Sequence, residues 1–219
     1  MSGILPNTNF AEVTITSHFP TVVVEANSGQ TQRLNYMGHY YKLQVNYPSL
    51  EVKSAKEIMG FLQAQKGQLS YFDVEVPYYS DSSGVYSDLA IEYNGVVDPT
   101  LTTRFTKSKS NSIIEYSTNF QNTHYNQLMG DFLSVGDYIQ FFNHSKVYQI
   151  TEVSNPIDVG SVSHGAFKIS PSLVMDVPAG TAIIARGVRW RVFLDDKVSQ
   201  MSSGLLGRTS IALNLREDI

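Results

Sequence analysis

The chain has 219 residues and a hydrophobic share of 42%, enough for one sizeable core or for a core plus a smaller inserted module. Charged residues make up only 16%, against roughly 25% in ordinary soluble domains, so Ser, Thr, Asn, Gln and Tyr must supply much of the polar surface. The net charge of -4 argues against a nucleic-acid groove, and the absence of cysteine excludes disulfides, thiolate catalysis and Cys-based zinc sites.

Met1 to Phe10 lack the basic start and apolar core of a signal peptide. The longest apolar runs, such as Ala182 to Ala185, are far too short to cross a membrane. The expectation is a soluble chain made in the cytoplasm, with no membrane insertion.

The first elements are β-branched. Val13 and Ile15, then Val22 to Val24, read as strands broken at Asn27-Ser28-Gly29, and a polar strand from Gln30 to Tyr36 follows. Tyr41, Leu43, Val45 and Tyr47 then alternate with Lys42, Gln44 and Asn46, the period of a strand with one buried face, and Pro48 is expected to end it. Ser54-Ala55-Lys56-Glu57 has the spacing of a capping box, and Ala55, Ile58, Met59 and Leu62 form one apolar stripe. With Lys66 in the last turn and Gly67 as a left-handed stop, the spacing predicts a helix over 54–66. Leu69 to Val76 reads as the next strand, ended by Pro77.

The pattern loosens from Tyr78 to about Met129. Asp81 to Gly84 and the low-complexity run Lys107 to Ser112 are loop chemistry, Leu89 to Tyr93 and Ile113 to Tyr116 are strands, and Asn119 to Gln127 has no clear period. Order returns with a hairpin, Tyr138 to Phe142 and Val147 to Val153, around Asn143-His144-Ser145. Strands follow at Phe167 to Ser170, Ala182 to Ala185, Val188 to Phe193 and Thr209 to Leu215. The sum is mainly β: a split β-barrel or sandwich with one packed α-helix, plus an inserted β-barrel-like module with long loops. The expected boundaries are 1–78 with 187–219 for the first domain and 79–186 for the insertion.

No catalytic constellation stands out. His18, His39, His124, His144 and His164 show no zinc spacing, and a polar turn is the plainer role for His144. Asp73 and Glu75 share a strand face and suit either an acid–base pair or a solvated face. Asp195-Asp196 lacks the glycine-rich loop of a calcium site, and Gly204 to Arg208 lacks the ending of a phosphate loop. No metal or cofactor is expected. Arg186, Arg189 and Arg191 cluster around Trp190, and Tyr78, Tyr79 and Tyr86 lie in loop sequence. Arginine and aromatic residues dominate interaction hot spots, so these six are the candidate oligomer or partner interface. The alternative is that Trp190 is core, with the arginines on the opposite face, and that the tyrosines pack the loops down.

Taken in order, Tyr40 to Pro48, the helix carrying Phe61, Gly67, and Tyr71-Phe72-Asp73 resemble the distal tail proteins of bacteriophages. Val135 to Ile139, Lys146 to Ile150, Ile169 to Leu173 and Val177 to Thr181 also look like phage tail sequences. The resemblance implies a tail-tube-like split barrel, an inserted β module and a homo-oligomeric ring, usually of six copies. It implies a non-enzymatic virion protein at the tail tip or baseplate. Its partners would be the tail tube protein and the baseplate hub or tail-tip proteins, with DNA only passing through the lumen. The alternative is a carbohydrate-binding or adhesin-type module of a phage tail. Tyr78 to Met129 matches no part of the family pattern.

Overall fold

Alternation along the sequence becomes burial in space. Strand β4 (Tyr40–Glu51) buries Tyr41, Leu43, Val45 and Tyr47 and leaves Lys42, Gln44 and Asn46 at least partly exposed. The computed structural model describes residues 3–6, 12–35, 38–83, 101–118, 133–159, 162–196, 201–203 and 208–219. The chain is mainly β, with one α-helix among the described residues, and forms two compact units, Met1–Val74 with Arg191–Ile219 and Glu75–Trp190.

The first unit is built on β1 (Glu12–His18), β2 (Thr21–Glu25), β3 (Thr31–Asn35), β4, α1 (Val52–Ala64) and β5 (Phe72–Glu75). The chain returns to it late with β12 (Arg189–Leu194), β13 (Met201–Ser203) and β14 (Arg208–Glu217). A curled half-barrel sheet runs in the order β1-β4-β14-β12-β5, with β13 added on β14. The inward residues Leu43, Val45, Ile211, Leu213 and Leu215 are nearly inaccessible. Helix α1 lies against β4 and β14 and buries Ala55, Ile58 and Leu62, while Phe61 meets Phe72 edge to face at 5.4 Å. Beyond β5, Asp73 holds the N-terminal segment through Gly3 and Leu5, whose backbone bonds are both 2.9 Å.

Several boundaries differ from the sequence reading, among them the strand expected from Leu69: residues 67–69 form a single 3-10 turn and β5 begins at Phe72. Helix α1 starts at Val52, and Glu51 before it is extended with no side-chain cap, so Ser54 lies inside the first turn and caps nothing. The cause is tertiary: β4 stays paired to β14 as far as Glu51, opposite Arg208, and the helix begins where that pairing stops. Nor does Pro48 end β4. The register with β14 slips between Thr209 and Ile211, a bulge that absorbs a residue unable to donate to the ladder. At the far end of α1, Lys66 and Gly67 are both left-handed, at φ 55 and 68. The stop therefore falls one residue earlier than glycine alone marks.

The second unit is a closed barrel of six antiparallel strands in the order β10-β7-β6-β11-β8-β9. They are β6 (Leu101–Thr103), β7 (Ile113–Thr118), β8 (Tyr138–Phe141), β9 (Val147–Val159), β10 (Val162–Ser170) and β11 (Ala182–Ile184). Its interior holds Leu101, Ile114, Tyr116, Ile139, Phe141, Tyr148, Ile150, Phe167 and Ile183. Gly165 sits beneath the Tyr116 ring at a bulge in β10, and a Cβ there would lie 2.6 Å from the ring. The expected strand Leu89 to Tyr93 and the stretch Asn119 to Gln127 lie outside the described residues.

Candidate functional site

The candidate site is a hairpin. Asn27-Ser28-Gly29 turns the chain, with Gly29 at φ 78 and its N–H donating to Ala26 at 2.8 Å, and β2 and β3 pair from Thr21↔Asn35 to Glu25↔Thr31. Opposed residues share a face. Val22 with Leu34 and Val24 with Gln32 make one face largely apolar, while Val23 stands with Arg33 on the other. Val22, Val23, Val24 and Leu34 are 42%, 58%, 50% and 57% exposed. The pair forms a sheet of two strands alone, so among the described residues both of its long edges are free. An isolated two-stranded ribbon is at best marginally stable in water. Among the described residues β1 pairs with β4 alone, which leaves its other edge without a partner strand.

The root of the hairpin is stiffened by rings. His18 stacks on Tyr40 at 4.7 Å with the Arg216 guanidinium 4.0 Å from that ring, and His39 packs between Phe19 and Tyr41 at 4.4 and 4.7 Å. Ser17 Oγ and His39 Nε2 are 2.8 Å apart. The ribbon is thus anchored at its base and bare along its length.

The arginines around Trp190 take a different place. Trp190 is fully buried, and Arg189 and Arg191 lie on the opposite strand face. Arg191 approaches Asp73 at 3.6 Å and covers the Tyr71 ring at 4.7 Å, while Arg189 meets Glu75 at 3.2 Å. Each member of the supposed acid–base pair is therefore engaged by a guanidinium from the neighbouring strand. Partly exposed pairs of this kind contribute about 0–1 kcal/mol each, so they fix side chains more than they stabilise the fold. Arg186 is half-buried in the turn before β12, and among the described residues its Nε has no hydrogen-bond partner. Tyr78 is 98% exposed and left-handed at φ 67; Tyr79, half exposed, contacts Tyr138 edge to face at 6.2 Å. Tyr86 lies outside the described residues.

The remaining polar candidates serve the fold. Asp195 pairs with Lys42 at 2.7 Å, and Asp196 accepts from Asn214 at 2.7 Å. Among the described residues no cluster of three or more His, Asp or Glu is arranged to hold a metal. His144 belongs to a chain of hydrogen bonds at one end of the barrel. The Val174 N–H donates to the Tyr148 hydroxyl at 3.2 Å, and that hydroxyl lies 2.7 Å from His144 Nε2. His144 Nδ1 lies 2.8 Å from Asn143 Oδ1, and Asn143 Nδ2 donates to the Asp176 carbonyl at 3.0 Å. Every bond in that chain is satisfied by a neutral imidazole. Burial, with Lys146 adding repulsion, pulls the His144 pKa down to about 4.

The sequence reading placed strands at the hairpin and did not see it as a site. The run Val22-Val23-Val24 beside Asn27-Ser28-Gly29 is visible in the sequence, but its exposure is not, because that depends on which strands pair over it. Compared with known proteins, no protein-family model matches the chain and no curated protein matches it.

Proposed function

We propose that this chain is a non-enzymatic structural protein of a phage virion. Copies of it form a ring, of six subunits, at the distal end of the tail tube and join the tube to the baseplate or tail-tip proteins. The observation that carries the assembly part is the bare β2–β3 hairpin, and the phage part rests on the tail-protein resemblance. A free apolar ribbon and a free strand edge occupy different places on the same unit. A contact between unlike patches is heterologous, and repeated contacts of that kind close into a ring when the rotation allows it. Covering the exposed remainder of Val22, Val24 and Leu34 would contribute about 2–4 kcal/mol per contact. Each subunit gives one contact and receives one. Lysine, the residue that most often protects free sheet edges, is absent from β1, β2 and β3, whose only charged side chains are Glu12, Glu25 and Arg33.

The hairpin variant Val22→Thr/Val24→Thr/Leu34→Thr tests this. It should lose higher oligomers in sedimentation velocity while melting within a degree or two of wild type, because those side chains are already exposed. Oligomers that persist in the variant place the interface elsewhere.

Tyr78 favours a second reading, a carbohydrate-binding module of the tail. A bulky side chain at positive φ costs about 1–3 kcal/mol and is retained where the surroundings or a function demand it. A glycan array should then show binding that Tyr78→Ala and Tyr79→Ala each remove; an array with no hits disposes of this reading.

A further inference from the structure

Antiparallel closure puts the loops after β6, β8 and β10 at one end of the second unit's barrel. They are residues 104–112, 142–146 and 171–181. The first of these is the low-complexity run that the sequence marks as loose, yet it is firmly tied. Lys107 and Val177 exchange backbone hydrogen bonds of 2.9 and 2.8 Å, and Ser110 and Asn111 bond to Leu173 at 2.8 Å each. Asp176 Oδ1 accepts from the Lys109 N–H at 2.6 Å, and its carbonyl accepts from Asn143 at 3.0 Å.

On this fastened surface three apolar side chains are left in solvent. Phe142 is 79% exposed, Phe105 49% and Met175 43%. They stand on three separate loops. Cations stand among them: the Arg104 guanidinium lies 5.0 Å over the Phe105 ring, and Lys109 is exposed. Among the described residues neither Arg104 nor Lys109 forms an ion pair. Glu115 pairs with Lys107 and Glu152 with Lys168, while Asp176, bonded to the neutral Lys109 N–H, keeps its negative charge beside Met175 and offsets one of the two cations Arg104 and Lys109.

We propose that this end of the barrel docks on an anionic lipid surface. Phe142, Phe105 and Met175 enter the boundary between headgroups and acyl chains, and Arg104 and Lys109 meet the lipid phosphates. Charge complementarity selects this partner, since Arg104 and Lys109 outweigh Asp176 and leave the apolar tips positive on a chain whose net charge is -4. A fluid interface also accepts three separate protrusions without the shape matching that a protein partner would need. The inference is independent of ring assembly, because a single subunit presents the whole surface.

Flotation of the full-length chain with large unilamellar vesicles tests it. Vesicles of phosphatidylcholine and phosphatidylglycerol in equal parts should bind the chain, pure phosphatidylcholine should not, and added salt should weaken binding. Arg104→Gln and Lys109→Gln should each weaken it about fivefold, from about 1 kcal/mol per surface charge. Phe142→Ser should abolish it with the melting temperature unchanged, since that side chain is largely in solvent. The hairpin variant with Thr at 22, 24 and 34 should bind as wild type does. The proposal is overturned by absence of vesicle binding, by equal binding to both vesicle types, or by binding indifferent to Phe142→Ser and Arg104→Gln. It is also overturned if this end captures a glycan or a protein while ignoring vesicles.

Discussion

At the scale of single residues, the most exacting position is Gly165. Its Cα faces Tyr116 across the β10–β7 ladder, and the ring and hydroxyl fill the space a side chain would need. Gly165→Ala should lower the stability of the barrel by about 1–3 kcal/mol, the usual penalty for overpacking, as seen by urea denaturation or by loss of amide protection in β7 and β10. An unchanged midpoint would mean that Tyr116 swings aside at little cost. Nothing in the sequence marks this contact, because glycine within Val162 to Ser170 reads only as a weak spot in a strand. Gly67 was readable as a helix stop because glycine advertises positive φ, whereas Lys66 reaches φ 55 unannounced. Trp190 as core, with the arginines on the opposite face, is the alternative that alternation supports, and the structure has it so.

At the scale of elements, legibility depended on length and on partners. The period-2 run of β4 and the 3.6-period stripe of α1 were long enough to declare themselves, and Ala55, Ile58 and Leu62 are the buried face. Strand β6, Leu101–Thr103, is too short to carry a period and exists because β7 and β11 flank it. The start of α1 and the passage of β4 through Pro48 were set by pairing with β14, which no local motif encodes. The β8–β9 turn was readable as a hairpin, but the role of His144 in it was not. There the neutral ring completes the chain from Val174 to Asp176. Its pKa falls from 6.5 to about 4 on folding, so the unfolded chain takes up a proton first as pH drops. Stability is therefore intact above about pH 6.5 and is lost progressively down to about pH 4, with the loss reduced by partial solvent screening. Thermal melts across that window should fall more steeply for wild type than for His144→Gln. Parallel profiles would show that the ring is already charged in the fold.

At the scale of the whole molecule, the fold class was legible and the bare hairpin was not. Mainly β composition, one amphipathic stripe of helix and turn-rich spacing lead to barrels of this kind, and the structure is mainly β with a closed barrel and a half-barrel sheet. The sequence drew attention to Arg189 and Arg191, whose charges turn out to be matched by Glu75 and Asp73 within the chain. Among the described residues the hairpin is left uncovered, because exposure of Val22 to Val24 depends on which strands fail to cover it, and that is a property of topology. The central claim is that this hairpin belongs to a neighbouring copy in a ring. Native mass spectrometry of the full chain, alone and mixed with the tail tube protein, measures it directly. The account predicts a closed oligomer of six subunits, reduced to monomer by Thr at positions 22, 24 and 34. A chain that stays monomeric in both conditions, or rings that survive the hairpin substitutions, would contradict it.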